Sequence, residues 1–246
     1  MGKVFDGVIR TIRKRAMHVT LLDPDPRKMG GIEKKIKLLD SFGTDAFLVG
    51  GSTNVDQKFL DESVKRIKSA SKLPVILFPG GLSGISPYAD AVFFMSLLNS
   101  KDPFFISRVQ AKASLAVKKS GLEAIPMAYL IVEPGMKAGE VGKAELIKRS
   151  DVNGAVEYAL AAQYMGMKLI YLEAGSGAGE PVPAGMVKEV KKNIDIPVIV
   201  GGGIRKPQQA RALLDAGADI IDTGTVTEEN FNAVKGIIEA VVSYKK

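Results

Sequence analysis

From residue 18 onward the chain alternates short, nearly unbroken apolar runs with stretches whose apolar residues return every three or four positions. The runs are His18–Asp23, Asp45–Gly50, Pro74–Phe78, Ala91–Met95, Ile125–Glu133, Lys168–Glu173, Pro197–Gly201 and Asp219–Thr223. A strand without polar alternation is covered on both faces, as in a parallel sheet. The stretches between most of them, such as GGIEKKIKLLDSFG and KPQQARALLDAG, combine helical spacing, good helix formers and a glycine stop. Eight β/α alternations in a chain of this length predict one domain over residues 1–246, folded as a (β/α)8 TIM barrel. An open, doubly wound sheet is the alternative.

The chain also echoes itself. LPVILFPGG followed by YADAVFFMSLLNS is answered by IPVIVGGG followed by GADIIDTGTVTEE. Strands three and four thus resemble strands seven and eight, as two joined half-barrels would. The echo fails at one place. Pro74 and Asp90 are 16 residues apart, whereas Pro197 and Asp219 are 22 apart. The longer interval holds the helical KPQQARALLDAG; the shorter holds GGLSGISPY, too rich in Gly, Ser and Pro for a helix. The helix between strands 3 and 4 is therefore predicted to be missing. That would leave a gap in the barrel wall, floored by apolar strand residues, where a long apolar ligand could lie.

Composition narrows the function classes. Hydrophobic residues make up 46% of the 246, ample for a sizeable core. No apolar run approaches the ~18 residues of a membrane span. The N-terminal MGKVFDGVIRTIRKR is helix-like and charged, without the apolar core or cleavage site of a signal peptide. There is no cysteine, which excludes disulfides and thiolate chemistry and leads us to expect a cytoplasmic location. A single histidine cannot build a histidine-rich zinc site. The net charge of +7 favours anionic partners. The basic residues are scattered along the helical stretches, with no arginine-rich arm or RNP-like aromatic motif, so small anions are expected and nucleic acid is not.

Candidate chemistry gathers at the strand ends. VIVGGGIRKPQQA sets Gly201, Gly202 and Gly203 between a strand and a helix, where bare backbone lets N–H groups approach an anion. DIIDTGTVTEEN does the same through Gly224 and Thr225. The loops after strands seven and eight are a frequent phosphate site in barrels; the competing reading is that these glycines only make tight turns. Gly175, Ser176 and Gly177 of YLEAGSG would add a third wall. Opposite them, HVTLLDPDP ends strand one with Asp23, and FLVGGSTNV ends strand two in glycines followed by Ser52 and Thr53. One carboxylate with one hydroxyl suits Mg²⁺, which keeps waters and draws its remaining oxygens from substrate phosphates. Asp-Pro is also a turn starter and Ser a helix cap. Glu173 falls between the two anion sites, as a proton acceptor or as the salt-bridge partner of a neighbouring Lys or Arg. A diphosphate at the metal pole and a monophosphate at the glycine pole would make a two-substrate transferase.

The blocks HVTLLDPDP, GTDAFLVGGSTN, PYADAVFFMSLLNS, YLEAGSG, VIVGGGI and DIIDTGT, in that order, resemble the geranylgeranylglyceryl phosphate synthase family and its bacterial heptaprenylglyceryl phosphate relatives. The resemblance runs from about His18 to the C-terminus. It implies a TIM-barrel prenyltransferase using Mg²⁺, which joins geranylgeranyl diphosphate to the 3-hydroxyl of sn-glycerol 1-phosphate. Geranylgeranylglyceryl phosphate and diphosphate would be the products, in the first ether-bond step of archaeal membrane phospholipid synthesis. The resemblance implies Asp23 and Ser52 as the metal pair, and Tyr171, Leu172, Glu173, Ala174, Gly175, Ser176 and Gly177 as glycerol-phosphate contacts. Gly202, Gly203, Gly224 and Thr225 would bind the phosphate. Glu173 would accept the hydroxyl proton, with Tyr171 helping to position the acceptor. The heptaprenyl relatives carry a lysine two residues before the metal Asp. Leu21 stands there in this chain, which argues for the archaeal branch and the C20 donor and leaves the diphosphate to other basic residues.

Donor and product are lipids, so peripheral membrane contact is an expectation that the positive charge would help, and a homo-oligomer is the expected state. The alternatives are a relative of heptaprenylglyceryl phosphate synthase with another chain length, a phosphosugar isomerase or thiamine-phosphate-type synthase on the same scaffold, or a non-catalytic phospholigand sensor. Phe93, Phe94 and Met95 read as core first and tail lining second, His18 as structural. Asn99 reads as a substrate contact or a turn residue, and Glu133 as a supporting group. PGMKAGEVGKAELIKRS reads as a lid or a surface loop.

Overall fold

Each apolar run becomes a strand. The computed structural model describes residues 2–51 and 56–245. In it β1 (Met17–Leu22), β2 (Ala46–Val49), β3 (Val75–Leu77), β4 (Ala91–Leu97), β5 (Glu123–Ile131), β6 (Leu169–Glu173), β7 (Val198–Gly201) and β8 (Ile220–Thr223) pair in chain order. All pairs are parallel, and β8 closes on β1 with Met17 opposite Ile220. The predicted TIM barrel is the observed fold.

Strand periodicity sorts the core into two layers. Met17, Val19, Leu48, Ile76, Phe93, Met127, Tyr129, Tyr171, Ile199 and Ile220 fill the barrel. Their alternates, including Leu22, Phe47, Leu130, Ile170, Leu172, Val200 and Ile221, lie beneath the helices. The outer ring is α2 (Ile32–Phe42), α3 (Gln57–Ala70), α4 (Val109–Ser120, led in by a π-helical turn at Phe104–Arg108), α6 (Val152–Tyr164), α7 (Ala184–Asn193), α8 (Pro207–Asp215) and α10 (Phe231–Val242). Two short helices, α5 (Met136–Val141) and α9 (Thr225–Glu229), follow β5 and β8. Helix α1 (Lys3–Ile12) joins the interior cluster through Phe5, Val8 and Ile12. Two of its orphan first-turn amides are satisfied from outside the helix: Val4 and Phe5 donate to the Glu123 carboxylate at 2.7 and 3.0 Å.

No helix connects β3 to β4: residues 78–90 run as turns, bends and irregular chain. The internal echo has a matching physical basis. Asp90 accepts from the Val75 amide at 2.8 Å and pairs with Lys68 at the end of α3. Asp219 accepts from the Val198 amide at 2.8 Å and pairs with Lys191 at the end of α7, also at 2.8 Å. The same carboxylate device thus ties adjacent strand entries together in both halves. Among the described residues no helix is long and apolar enough to cross a membrane.

Candidate active site

Strand β6 delivers the central acid. Tyr171 and Glu173 point into the barrel, so Leu172 and the following Ala174 must point the other way, into the helix-facing core. Leu172 and Ala174 were both expected to contact the ligand; period-two alternation turns their side chains away from the cavity. Glu173 is 6% exposed. Its Oε1 accepts from the Gly175 amide at 2.6 Å and its Oε2 from the Tyr129 hydroxyl at 3.1 Å. Burial raises its pKa, and these donors only partly oppose that. A buried acid with elevated basicity can accept a proton from a hydroxyl.

Tyr171, expected to help position the acceptor, is fully buried, and its hydroxyl donates to Asp222 Oδ2 at 2.6 Å. The ring passes beneath Gly201, where a Cβ would overlap the phenol oxygen. Phe78 stacks on Tyr171 at 5.4 Å and meets Tyr129 edge-on at 5.5 Å, fixing both phenols. Of the two tyrosines, it is Tyr129 that lines the cavity.

The glycine pole forms where the β6 and β8 loops meet. Ser176 and Thr225 bridge them through their hydroxyls at 2.9 Å, and both line the cavity with Gly224. Gly175 and Gly177 have φ of 104° and 80°, conformations that glycine adopts at low cost. Gly202 (φ 79°) lies against Glu173 and Gly175, where a Cβ would overlap Glu173 Oε1. Gly203 (φ 71°) instead backs onto Glu180 and Pro181. Four of the expected residues, Glu173, Ser176, Gly224 and Thr225, therefore line one cavity, with Gly202 just behind them.

Asp23 lies on the opposite rim. Its Oδ1 is buried with no hydrogen-bond partner among the described residues, and its Oδ2 receives Lys28 Nζ at 3.0 Å. A Cβ on Gly51 would stand 2.8 Å from Oδ1, so the glycine keeps that oxygen clear. An unpartnered carboxylate oxygen with no nitrogen or sulfur donor fits Mg²⁺. Among the described residues no group of three or more His, Cys, Asp and Glu could hold a metal, so phosphate oxygens would have to supply ligands. Ser52, the other expected ligand, and Thr53 lie outside the described residues. Lys28 also reaches Glu228 at 3.0 Å, joining the β1 loop to α9. Lys28 and Lys137 both line the cavity.

From this mouth the cavity continues along an apolar wall. Phe93, Phe94 and Met95 of β4 line it together with Val109, Ala113 and Val117, spaced about one turn apart on α4, and with Gly80, Gly81 and Ile85 of the helix-free crossover. Asn99 is not among the lining residues: its amide donates to the Ile131 and Glu145 carbonyls at 2.9 and 2.8 Å. Ser100 donates to the Gly142 carbonyl at 2.6 Å, so the segment expected as a lid is tied down around α5. Glu133 accepts from the Arg149 amide at 3.2 Å. His18 is buried between Thr44 and Thr223, 3.0 Å from each hydroxyl, as a structural residue should be.

Sequence reasoning passed over Tyr129, Asp222 and Lys28. Asp222 left a visible signal, a second acid inside an apolar run (DIIDT) in phase with inward Ile220. Tyr129 is directly opposite Tyr171 in the sheet register, which only pairing reveals. Lys28 is one of many lysines, and nothing local distinguishes it.

The PcrB family matches residues 9–242 of the chain. A geranylgeranylglyceryl phosphate synthase of Thermococcus gammatolerans is 53% identical over 93% of this chain and 91% of its own length. A solved structure of wild-type GGGPS from Thermoplasma volcanium superposes with a TM-score of 0.95 at 45% identity, covering all of both chains. The (S)-3-O-geranylgeranylglyceryl phosphate synthase of Thermoplasma acidophilum, solved in complex with its substrate sn-glycerol-1-phosphate, gives 0.94 at 45% identity over 99% of this chain and 100% of that one.

Proposed function

Since the chain belongs to the PcrB family, we propose that it joins geranylgeranyl diphosphate to the 3-hydroxyl of sn-glycerol 1-phosphate. The products are geranylgeranylglyceryl phosphate and diphosphate. The observation that carries this reading is Glu173 at one continuous cavity, with Asp23 and Lys28 on one rim and Ser176, Gly224 and Thr225 on the other. An apolar channel leads away from them.

In this reading the prenyl tail lies against β4 and α4, where the absent crossover helix leaves room. The glycerol phosphate is held through its phosphate by the Ser176 and Thr225 hydroxyls and the neighbouring backbone, which fixes its 3-hydroxyl near the allylic carbon. As the new C–O bond forms, the allylic C–O bond to diphosphate breaks and Glu173 takes the hydroxyl proton. The leaving diphosphate meets the positive charge of Lys28 and Lys137. Asp23 and Ser52 would hold Mg²⁺, which would supply further counter-charge to the diphosphate. A homo-oligomer in the cytoplasm belongs to the same reading, supported by the exposed apolar side chains of Leu115, Tyr164 and Met165; so does peripheral contact with an anionic membrane, supported by the charge of +7.

The test is transfer from labelled geranylgeranyl diphosphate to sn-glycerol 1-phosphate, with and without Mg²⁺, in wild type and Glu173→Gln. The variant should bind both substrates and lose at least about a hundredfold in turnover; near-native turnover rules out Glu173 as the base. A phosphosugar isomerase would need neither the apolar channel nor a second anion pole.

A further inference from the structure

Asp222 has no part in the reaction as drawn, yet it occupies the inside of the barrel below the reacting groups. It is 3% exposed; among the described residues its Oδ1 has no well-formed hydrogen bond, although the Leu21 and Thr223 amides lie close enough to favour its charged form. An unsatisfied carboxylate oxygen at that depth is costly, and an apolar residue would serve packing better. What Asp222 does hold is the proton of Tyr171, at 2.6 Å. The Tyr171 oxygen lies within reach of Glu173 as well, where its O–H would stabilise the Glu173 carboxylate. A phenol has one proton. Given to Asp222, it is withheld from Glu173, whose remaining donors are the Gly175 amide and the Tyr129 hydroxyl.

We propose that Asp222 is a positioning residue for the base: by accepting the Tyr171 proton it turns the phenol's lone pairs towards Glu173 and keeps that carboxylate basic. The inference rests on Glu173 being the base. The titratable groups facing Asp222 are Tyr171 and Glu173 on β6 and, one strand further, Tyr129 on β5; the interior residues contributed by β1 and β7 here, Val19, Leu21, Ile199 and Gly201, carry none. Burial together with the Glu173 charge pushes the Asp222 pKa up to about 7. Asp222 therefore titrates in the same range in which it must accept the phenol proton, and either protonation state leaves an oxygen for that bond.

The test follows the Glu173 carboxyl by carbon-13 chemical shift and the acid limb of kcat over the same pH range. In Asp222→Ala the phenol is free to turn to Glu173. Its titration and the acid limb should both fall by about one pH unit, with little change in KM for sn-glycerol 1-phosphate. Asp222→Asn keeps an acceptor for the phenol and should titrate close to wild type. Adding Tyr171→Phe to Asp222→Ala removes the O–H and should return the titration to its wild-type place. Tyr171→Phe alone decides the question if Asp222→Ala does not fold. An unmoved or lowered Glu173 titration means the proton was on Asp222; a rise of about one unit means that it served Glu173 and overturns the proposal. An unmoved titration in folded Asp222→Ala overturns it equally. Failure of the base assignment would appear separately, as near-native turnover in Glu173→Gln.

Discussion

The Tyr129 hydroxyl donates to Glu173 across the boundary between β5 and β6, although the two residues are 44 positions apart in the chain. The bond favours the carboxylate against the burial that disfavours it. Tyr129→Phe should therefore raise the acid limb of kcat by about one pH unit, the opposite sign to Asp222→Ala. A pH–rate profile of the two variants side by side checks both signs.

Asp23 holds a buried oxygen that nothing in the described chain uses. Asp23→Asn should abolish the Mg²⁺ response and lower kcat by about a hundredfold or more. Lys28→Met should weaken donor binding but leave the Mg²⁺ response in place. Activity titrated with Mg²⁺ after chelation, in both variants, separates the two roles.

Ala113 stands in the middle of the α4 wall, between Val109 and Val117. A ring at that point would block the channel partway. Ala113→Phe should lower kcat/KM for the C20 donor at least about tenfold and spare C10 and C15 donors. Competition between donors of different length, read by product mass, measures the shift.

Asp90 and Asp219 make the same paired contacts in the two halves of the barrel. Alanine at either leaves a strand amide unpaired and should cost about 1–3 kcal/mol. Asparagine keeps an acceptor and loses the ion pair, which costs about 1 kcal/mol or less at the partly exposed Asp90 and more at the buried Asp219. Denaturant unfolding of the four variants should rank asparagine above alanine at both positions.

His18 is buried neutral, its pKa lowered by desolvation from 6.5 to about 3. The unfolded chain therefore binds the proton first, and His18 makes stability fall as pH drops from 6.5 towards 3. The loss at pH 5 is about 2 kcal/mol. Glu173 and Asp222, with raised pKa values, act in the opposite sense, their contribution weakening as pH rises. Comparison of wild type with His18→Leu isolates the histidine: the variant should lose less stability between pH 7 and pH 5.

Much of this was legible along the chain. Eight strands, their parallel pairing and the missing crossover helix follow from apolar runs, helical spacing and a Gly-Ser-Pro stretch, which are properties of neighbouring residues. Glu173 was visible because an acid closing an apolar strand is conspicuous. The alternation that buries Leu172 and Ala174 is legible too, since period two sets them opposite Tyr171 and Glu173.

Other features depend on closure of the barrel. Tyr171 and Asp222 are 51 residues apart, on strands separated by β7, and they meet only because Gly201 leaves the interior open between them. Ser176 and Thr225 meet for a similar reason, since two strand ends converge on one rim. Local sequence sets which face each side chain takes. Strand order and register set which faces share the barrel's interior, and so decide where each phenol proton goes.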